Sequence, residues 1–380
     1  MPIVRDWVAM AKETARSVKR DEVVGLYSRD WKSARRQLVS EHREEIEGTR
    51  NGLKRFVRVT NAIVFGLVRR LAPARRLVFA LAGVFLLGAV IEGLGMASGH
   101  RVESEYWHRA SNTVDLLVAA FLLMTFLLAM ELLDKIQFRD ELVLARELQR
   151  DLLPKAVPAF PGYEISAYNR IANMVGGDLY DFAILPDGRL AILFGDASGH
   201  GMAAGLVMAV AHAAFRTQLD ADASPSAIVG ALNKTLCRTG GPRSFFSCAY
   251  VLLSGDGTFS ATVAGHPPIL VAGADGAVKR EVGEGAYPLG IKEGLLWKPI
   301  AGAVEPGEQL VFCSDGLAEA RNAEDEEFGD PRIASIVRAR AGRPASETVE
   351  ALANAVVSFC GGAVPEDDVS ILVARRLPAV

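Results

Sequence analysis

Four aspartates in this chain stand where their side chains could combine in one reaction centre. Each lies at an end of an apolar, strand-like run without an evident Lys or Arg partner nearby in the sequence; they are Asp178, Asp196, Asp315 and Asp367. Carboxylates that converge without a counter-charge repel one another, so a bound cation is what stabilises such a cluster. The pattern therefore predicts a metal site.

The first two acids are predicted to face each other across a β-hairpin. A Pro-Asp-Gly turn at 186–188 separates two strand-like runs, which is typical of a hairpin. Counting outward from that turn, the numbers of facing residues should sum to about 374 or 375. Asp178 and Asp196 satisfy this condition. Turn formation, the usual role of a single Asp-Gly pair, does not explain the pairing.

The ligand types indicate which metal would bind. Carboxylate and backbone carbonyl oxygens suit Mg²⁺ or Mn²⁺, whereas zinc prefers Cys and His. His200 and His212 are not spaced as a metal-binding pair, and the four cysteines lie far apart. Four acids exceed what one such ion usually takes from a protein. They predict two ions roughly 3.5 to 4 Å apart that share a carboxylate.

Hydrolysis of a phosphomonoester is the reaction that such a site predicts. Two divalent cations acidify a water held between them and neutralise charge on a phosphate under attack. A serine nucleophile is the rival, because Ser198 lies in a glycine-rich turn. The nucleophile elbow needs Gly-x-Ser-x-Gly, however, and Asp196 stands two residues before Ser198. The spacing excludes that mechanism.

A strand-rich domain after about Ala156 would position these acids. Eight short β-rich runs are separated by Gly, Asp and Pro. Residues 201–219 and 345–360 carry apolar positions at three- and four-residue steps, which predicts two helices. Mostly antiparallel strands with a few helices indicate a layered α+β domain. The eight runs are 164–171, 179–185, 190–195, 245–254, 258–265, 267–273, 308–314 and 369–376.

Two apolar segments predict membrane helices. Residues 77–97 and 114–133 each approach the ~20 residues that span a bilayer core. A buried helical hairpin in a soluble domain is the alternative, but the acids lie toward the segment ends. Arginines at 69, 70, 75 and 76 precede the first segment, whereas the loop 98–113 has two. The positive-inside bias predicts a multi-pass protein of the cytoplasmic (inner) membrane, with its N-terminus and catalytic domain in the cytoplasm.

The segments on either side of the spans are predicted to be helical. Residues 1–76 carry 18 Lys and Arg against 9 Asp and Glu, a charge of +9 that leaves −12 for the rest of the chain. A basic segment before a membrane span predicts contact with anionic membrane lipid, and no nucleic acid partner is expected. In the linker 135–155, Leu144, Leu148 and Leu152 recur every fourth residue. One face of this helix could therefore pair with a second copy as a coiled coil and form a homodimer.

Six separated motifs resemble the SpoIIE/RsbU branch of the type 2C (PPM) metal-dependent serine/threonine protein phosphatases. The predicted organisation is a basic helical region (1–76), two transmembrane helices (77–134), a linker (135–155) and the phosphatase domain (156–376). The motifs follow the family's order and cover nearly all of the last segment. They are VGGDLYDF (175–182), FGDASGHGMAAGLVMA (194–209), AGHPPILV (264–271), PLGI (288–291), PGEQLVFCSDGLAEARN (306–322) and EDDVSILVARR (366–376).

The resemblance implies an αββα sandwich of two antiparallel sheets flanked by helices, with a dinuclear Mn²⁺ or Mg²⁺ site. It matches Asp196 to the bridging ligand and Ala197 to a ligand through its backbone carbonyl. Asp315 and Asp367 match ligands of the second ion, and Asp178 matches an acid that binds metal directly or through water. Asp178 and Asp196 are the expected catalytic acids.

Other features of the substrate site are implied less directly. Asp368 is expected to support the ligands rather than to bind metal. Eukaryotic members use an arginine to hold the substrate phosphate; Arg170 lies upstream of the first acid, but the sequence does not place its guanidinium. The implied substrate is phosphoserine or phosphothreonine on a cytoplasmic signalling protein, such as an anti-sigma factor antagonist of the STAS type.

Two alternatives remain at this point. Gly176-Gly177-Asp178 behind membrane spans is similar to part of the diguanylate cyclase signature, although Leu179 and Tyr180 replace the required Glu-Phe. A non-catalytic membrane scaffold with the phosphatase fold is the other alternative. Loss of a metal acid would favour the scaffold, and all four acids are present.

Overall fold

The computed structural model describes residues 59, 68, 71–97, 103–172, 174–199, 201–241, 244–283, 285–362, 365 and 367–378. The chain forms two compact units, Met1–Ile136 and Gln137–Val380. The predictions for the basic N-terminal region fall almost wholly outside the described residues, as does His200.

Two long helices dominate the described part of the first unit. Helix α1 spans Pro73–Ala97, and α2 spans Glu103–Leu152 and continues into the second unit. Both are long and apolar enough to cross a membrane. Arg75 binds Glu131 and Asp134 at 2.8 and 2.7 Å, so the start of α1 lies beside the middle of α2.

The second unit is a sandwich of two five-stranded sheets, and every strand pair in it is antiparallel. Sheet 1 has the order β1-β10-β9-β6-β7, and sheet 2 has the order β2-β3-β4-β5-β8. The strands are β1 Tyr163–Arg170, β2 Leu179–Ile184, β3 Leu190–Ala197, β4 Phe246–Leu253, β5 Thr258–Ala264, β6 Ile269–Ala272, β7 Val278–Val282, β8 Ile300–Ala303, β9 Gln309–Cys313 and β10 Val369–Arg376.

Helices cover the outer face of each sheet. Helices α3 (Met202–Ala221) and α4 (Pro225–Thr239) pack on sheet 2. On sheet 1, α5 (Asp315–Ala318) contacts β10, and α6 (Asp330–Ala339) and α7 (Ala345–Phe359) form the outer layer. The predicted αββα sandwich is confirmed.

The hydrophobic core lies between the sheets and continues under each helical layer. Phe194 of sheet 2 and Phe312 of sheet 1 meet across the interface with ring centroids 5.7 Å apart. Both are buried, as are Ile192, Val251 and Leu372 around them. Because residues alternate between the two faces of a strand, the other face of each strand packs against the helices.

The predicted hairpin register is confirmed. Strands β2 and β3 pair from Leu179–Gly195 to Ile184–Leu190, and the numbers of every facing pair sum to 374. The turn chemistry at 186–188 is local, so it specified the register without knowledge of the rest of the fold.

Five elements were not predicted. Strands β7 and β8 lie at sheet edges, and β7 is largely exposed and charged, so neither has a strong alternating pattern. Helices α4, α5 and α6 were also missed. Both α4 and α6 have a proline in the first two positions, which is a helix-start signal. The sequence analysis did not use this signal.

Candidate metal centre

The hairpin brings the first two acids to one end of sheet 2. The β2–β3 ladder extends past its last strand pair, because the N–H of Ala197 donates to the carbonyl of Gly177 at 3.2 Å. In this register Asp178 lies opposite Asp196, as predicted. Asp178 immediately precedes β2, and Asp196 is the penultimate residue of β3.

The other two acids lie where two central strands of sheet 1 meet. Asp315 begins α5 just after β9, and Asp367 precedes β10 by two residues. Ser314 and Ser370 hold the two strand ends together: the Ser314 N–H donates to the Ser370 carbonyl at 3.0 Å, and the Ser370 N–H donates to the Ser314 hydroxyl at 2.9 Å. The ends of both sheets thus carry acids.

Gly177 allows the chain to pass close to the two acids of sheet 2. A Cβ at this position would lie 2.6 Å from the Asp196 carboxylate oxygen Oδ1 and 2.6 Å from the carbonyl oxygen of Ala197. Real Cβ atoms do not approach other atoms so closely, so any larger residue would displace these two groups. They are the predicted bridging carboxylate and the predicted carbonyl ligand.

Asp368 ties the two sheets together. It is 5% exposed, and its carboxylate accepts two backbone hydrogen bonds of 2.7 Å, from Ala172 to Oδ1 and from Gly177 to Oδ2. Both oxygens are therefore engaged with the loop that leads to Asp178. This arrangement agrees with the expectation that Asp368 supports the ligands.

Asp178 is a buried carboxylate without a counter-charge. Its side chain is 2% exposed, and its Oδ2 has no hydrogen-bond partner among the described residues. Burial raises the pKa of Asp178 well above its ordinary value, the negative charge of Asp196 raises it further, and the nearby Ser370 acts in the opposite direction. A bound cation would stabilise the ionised form of such a group.

The remaining acids act on one another across the two sheets. Burial, followed by the charges of Asp315 and Asp367, raises the pKa of Asp196 to about 8. Burial, followed by the charge of Asp367, also raises the pKa of Asp315. Asp196 belongs to sheet 2, whereas Asp315 and Asp367 lie at strand ends of sheet 1, so acids of sheet 1 are close enough to raise the pKa of an acid of sheet 2.

The chemistry of this donor set fits Mg²⁺ or Mn²⁺: hard oxygen donors, one of them buried and unpartnered, with excess negative charge. Within the described ranges, no group of three or more His, Cys, Asp or Glu side chains is arranged so that it could hold a metal ion as it stands. The individual ligand roles of Asp178, Asp196, Ala197, Asp315 and Asp367 therefore stay predictions.

Gln149 of helix α2 holds the loop before Asp178, and the sequence analysis missed it. The side chain is 4% exposed; its Nε2 donates to the Gly176 carbonyl at 2.8 Å, and its Oε1 accepts from the Gly176 N–H at 3.0 Å. A polar residue between Leu148 and Arg150 gave no signal of its own, because burial here depends on packing against a distant loop.

Two polar residues near the acids have structural roles. Asp181 faces α3, where it contacts His212 Nε2 at 2.8 Å and accepts from Arg216 at 2.5 Å. The Ser198 hydroxyl accepts from the N–H of Phe245 at 2.9 Å, and the Ser198 N–H donates to the Phe245 carbonyl at 2.9 Å. These contacts join β2 to α3 and the turn after β3 to the residue before β4.

Sequence comparisons agree with this architecture. Protein IcfG of Synechocystis sp. is 24% identical over 278 residues, covering 66% of this chain and 43% of that protein. Phosphoserine phosphatase RsbU of Bacillus subtilis is 23% identical over 241 residues, covering 63% of this chain and 71% of that protein. The chain thus spans less than half the length of the first of these curated relatives.

Solved structures share the fold. The SiaA-PP2C domain of Pseudomonas aeruginosa superposes with a TM-score of 0.57 at 23% identity, over 64% of this chain and 98% of that one. The RsbU and RsbW domains of Rv1364c from Mycobacterium tuberculosis give a TM-score of 0.51 at 28% identity, over 59% of this chain and 64% of that one.

The family model decides the assignment. The model for Stage II sporulation protein E (SpoIIE) matches residues 186–377, just over half of the chain, which includes β3 to β10 and three of the four acids. The match also favours the phosphatase family over the cyclase alternative. With its paired acids, its two antiparallel sheets and this match, the chain belongs to the SpoIIE family of PP2C-type phosphatases.

Proposed function

We propose that this protein is a metal-dependent serine/threonine protein phosphatase that removes phosphate from a cytoplasmic signalling protein. The observation that carries the proposal is that burial and the charges of neighbouring acids raise the pKa values of Asp178, Asp196 and Asp315 at one end of the sandwich, where Asp178 Oδ2 is buried without a hydrogen-bond partner among the described residues. Clustered carboxylates destabilise the folded chain, so a non-catalytic scaffold would gain nothing from keeping them together.

The residues that would hold two divalent cations are Asp178, Asp196, Asp315 and Asp367, with the carbonyl of Ala197. When bound, Mn²⁺ or Mg²⁺ supplies an acidified water and positive charge beside the substrate phosphate. Asp196 would be the ligand that both cations share, and the effect of its charge on Asp178 and that of Asp315 on Asp196 support this role. Gly177 keeps the space beside it open, and Asp368 fixes the loop that carries Asp178.

The names of two relatives support a proposal for the substrate class. RsbU of Bacillus subtilis bears the name phosphoserine phosphatase, and one structural neighbour contains RsbU and RsbW domains together. We infer that the substrate here is a phosphoserine or phosphothreonine protein, such as a STAS-type anti-sigma factor antagonist.

The N-terminal half would anchor the enzyme. Helices α1 and α2 have the length and composition of membrane spans. The proposed organisation keeps the predicted segments: a basic region at 1–76 against anionic lipid, spans within 77–134, a linker at 135–155 and the phosphatase domain at 156–376. Of the three predicted linker leucines, Leu152 packs against the core of the phosphatase domain instead, whereas Leu144 and Leu148 are exposed, at 58% and 62%, and would join two copies.

The test of the activity is hydrolysis of a phosphoserine peptide with Mn²⁺ by the wild-type chain and by Asp196→Asn. Supporting residues of metal sites typically contribute 10- to 100-fold, so loss of a bridging ligand should reduce kcat/KM by about 100-fold or more. Asp187→Asn is the matched control, because Asp187 is an exposed acid at the far end of the same hairpin. It should retain activity.

Two outcomes contradict the proposal. One is hydrolysis by Asp196→Asn at the wild-type rate; the other is hydrolysis by the wild-type chain in the presence of a chelator. Either result would exclude a mechanism that depends on cations bound at these acids.

A further inference from the structure

A polar cleft of about 1380 Å³ lies between the C-terminal part of helix α2 and the end of strand β1. Its lining includes Arg146, Arg150 and Lys155 from α2 and the residues after it, and Arg170 from the last position of β1. None of these residues has a role in the proposed chemistry.

The cleft carries an excess of positive charge. Arg146 and Arg150 are exposed and Arg170 is half-buried, and none of the three forms an ion pair with any residue that the structure describes. Lys155 contacts Asp151 at 3.5 Å, which leaves Glu147 as the other acid of the lining. Three unpaired guanidinium groups on one cleft form a site for carboxylates or phosphates, which Arg binds in a bidentate manner.

The cleft opens beside the candidate metal centre. Arg170 pairs with Val369 in the β1–β10 ladder, one residue from Asp368. Ala172, which also lines the cleft, donates its N–H to the Asp368 carboxylate at 2.7 Å. A ligand seated on the arginines therefore ends next to the acids of sheet 1.

We propose that this cleft binds an acidic segment of the phosphoprotein substrate next to its phosphorylated residue; this inference rests on the proposed function. Charge complementarity identifies the occupant. Outside the basic N-terminal region the chain has a net charge of −12, which repels an acidic partner everywhere except at such a patch. Complementary charges of this kind steer a partner and fix its register.

The geometry of α2 keeps the cleft free in a dimer. At 100° per residue, Leu148 and Arg150 project about 200° apart around the helix. The exposed leucines and the arginines therefore flank the buried Gln149 on different sides. Pairing through the leucines would not cover the arginines, so linker dimerisation and substrate binding are compatible.

The experiment compares two phosphoserine peptides of equal length, one with Glu and one with Gln around the phosphoserine. The full chain in detergent with Mn²⁺ is assayed as wild type, as Arg146→Glu/Arg150→Glu and as Arg343→Glu. We expect wild type to have a KM for the Glu peptide at least about tenfold lower than for the Gln peptide. The double variant should lose or invert this ratio, and added salt should reduce it in wild type.

Arg343→Glu is the matched control. Arg343 is exposed and lies just before the N-terminal end of α7. Arg170 lies near the other end of that helix, where its positive charge acts to lower the pKa of the Cys360 thiol. Fifteen helical residues separate the ends by about 21 Å. The control should keep the wild-type preference, since it changes the same charge far from the cleft.

Equal KM values for the two peptides in wild type, or an unchanged ratio in the double variant, would overturn the inference. Hydrolysis of neither peptide would instead contradict the proposed phosphatase activity, and fluorescence anisotropy of the labelled peptides then still tests the cleft. Binding selective for Glu that the double variant loses supports the cleft, and unselective binding rejects it. A variant that changes only binding to anionic vesicles would assign the cleft to lipid and also reject the inference.

Discussion

At the scale of residues, the candidate centre combines acids that destabilise one another with residues that keep them in place. Asp178 and Asp196 face each other with raised pKa values, and burial is the largest cause for both. The Gly177 N–H donates a 2.7 Å hydrogen bond to Asp368, and this bond fixes the loop before Asp178 despite the repulsion. The fold therefore maintains a cluster that an isolated chain would separate.

The metal-free phosphatase should lose stability as pH rises from about 4 to about 8. The folded-state pKa of Asp196, about 8, exceeds the ordinary value of 3.8, so in this range the folded state holds a proton that the unfolded state has lost. As pH rises through 8, that proton leaves and the stabilisation with it. Urea unfolding with chelator should show the decline, and Mn²⁺ should reverse it.

Asp196→Asn is the control for this pH dependence, because other groups also titrate. Burial raises the pKa of the Cys248 and Cys313 thiols to about 12, which contributes its own decline at alkaline pH. The variant should keep that part and the part that burial of Asp178 and Asp315 contributes, and it should lose the part that belongs to Asp196. Identical slopes in wild type and variant would contradict the charge repulsion inferred for the cluster.

At the scale of elements, helix α2 connects regions with different roles. It is a single helix of 50 residues, from Glu103 to Leu152, with apolar exposed residues in its first part and a buried glutamine in its last turn. Gln149 contacts Gly176, two residues before Asp178. A displacement of this end of α2 would therefore shift the loop that contains Gly176 and leads to Asp178.

A cysteine at position 148 should form a disulfide cross-link between two chains. Leu148 is 62% exposed, and an apolar stripe on a helix favours burial against a second copy. Arg150→Cys, which projects about 200° away, should not cross-link. The measurement is non-reducing electrophoresis after mild oxidation of the full chain, with wild type as the background for the native thiols. Equal cross-linking at both positions would contradict a specific leucine interface.

At the scale of the whole molecule, two helices long and apolar enough to cross a membrane and a phosphatase domain share one chain. Arg75 binds Glu131 and Asp134, and Arg109 binds Glu92 at 3.3 Å, so the charged residues of α1 and α2 pair near the ends of the apolar stretches. This pairing reduces the cost of charges close to a bilayer. It supports a hairpin that crosses the membrane twice.

Reporter fusions test this topology. A fusion at residue 380 should report the cytoplasm and one at residue 105 the opposite side, because four arginines precede the first apolar segment at residue 77 and two lie between the two apolar segments. Fusions before residue 70 should agree with residue 380. A cytoplasmic signal at both 105 and 380 would exclude the proposed hairpin.

The sequence by itself determined the features that depend on neighbouring residues. Strand alternation and the turn at 186–188 specified the β2–β3 register, and the ends of the apolar runs located Asp178, Asp196 and Asp315. Periodicity and turn chemistry act over a few residues, so they can be recognised in one sequence. The motifs then indicated the family, which the match to 186–377 confirmed.

Only the tertiary structure decided which distant residues meet. The hydrogen bonds from Gly177 and Ala172 to Asp368 join residues 191 and 196 positions apart, and Gln149 reaches Gly176 across 27. The arginine cleft also combines α2 with β1. No local pattern encodes these contacts, because each polar side chain finds its partner only after the packing of the sheets and helices has excluded water from both.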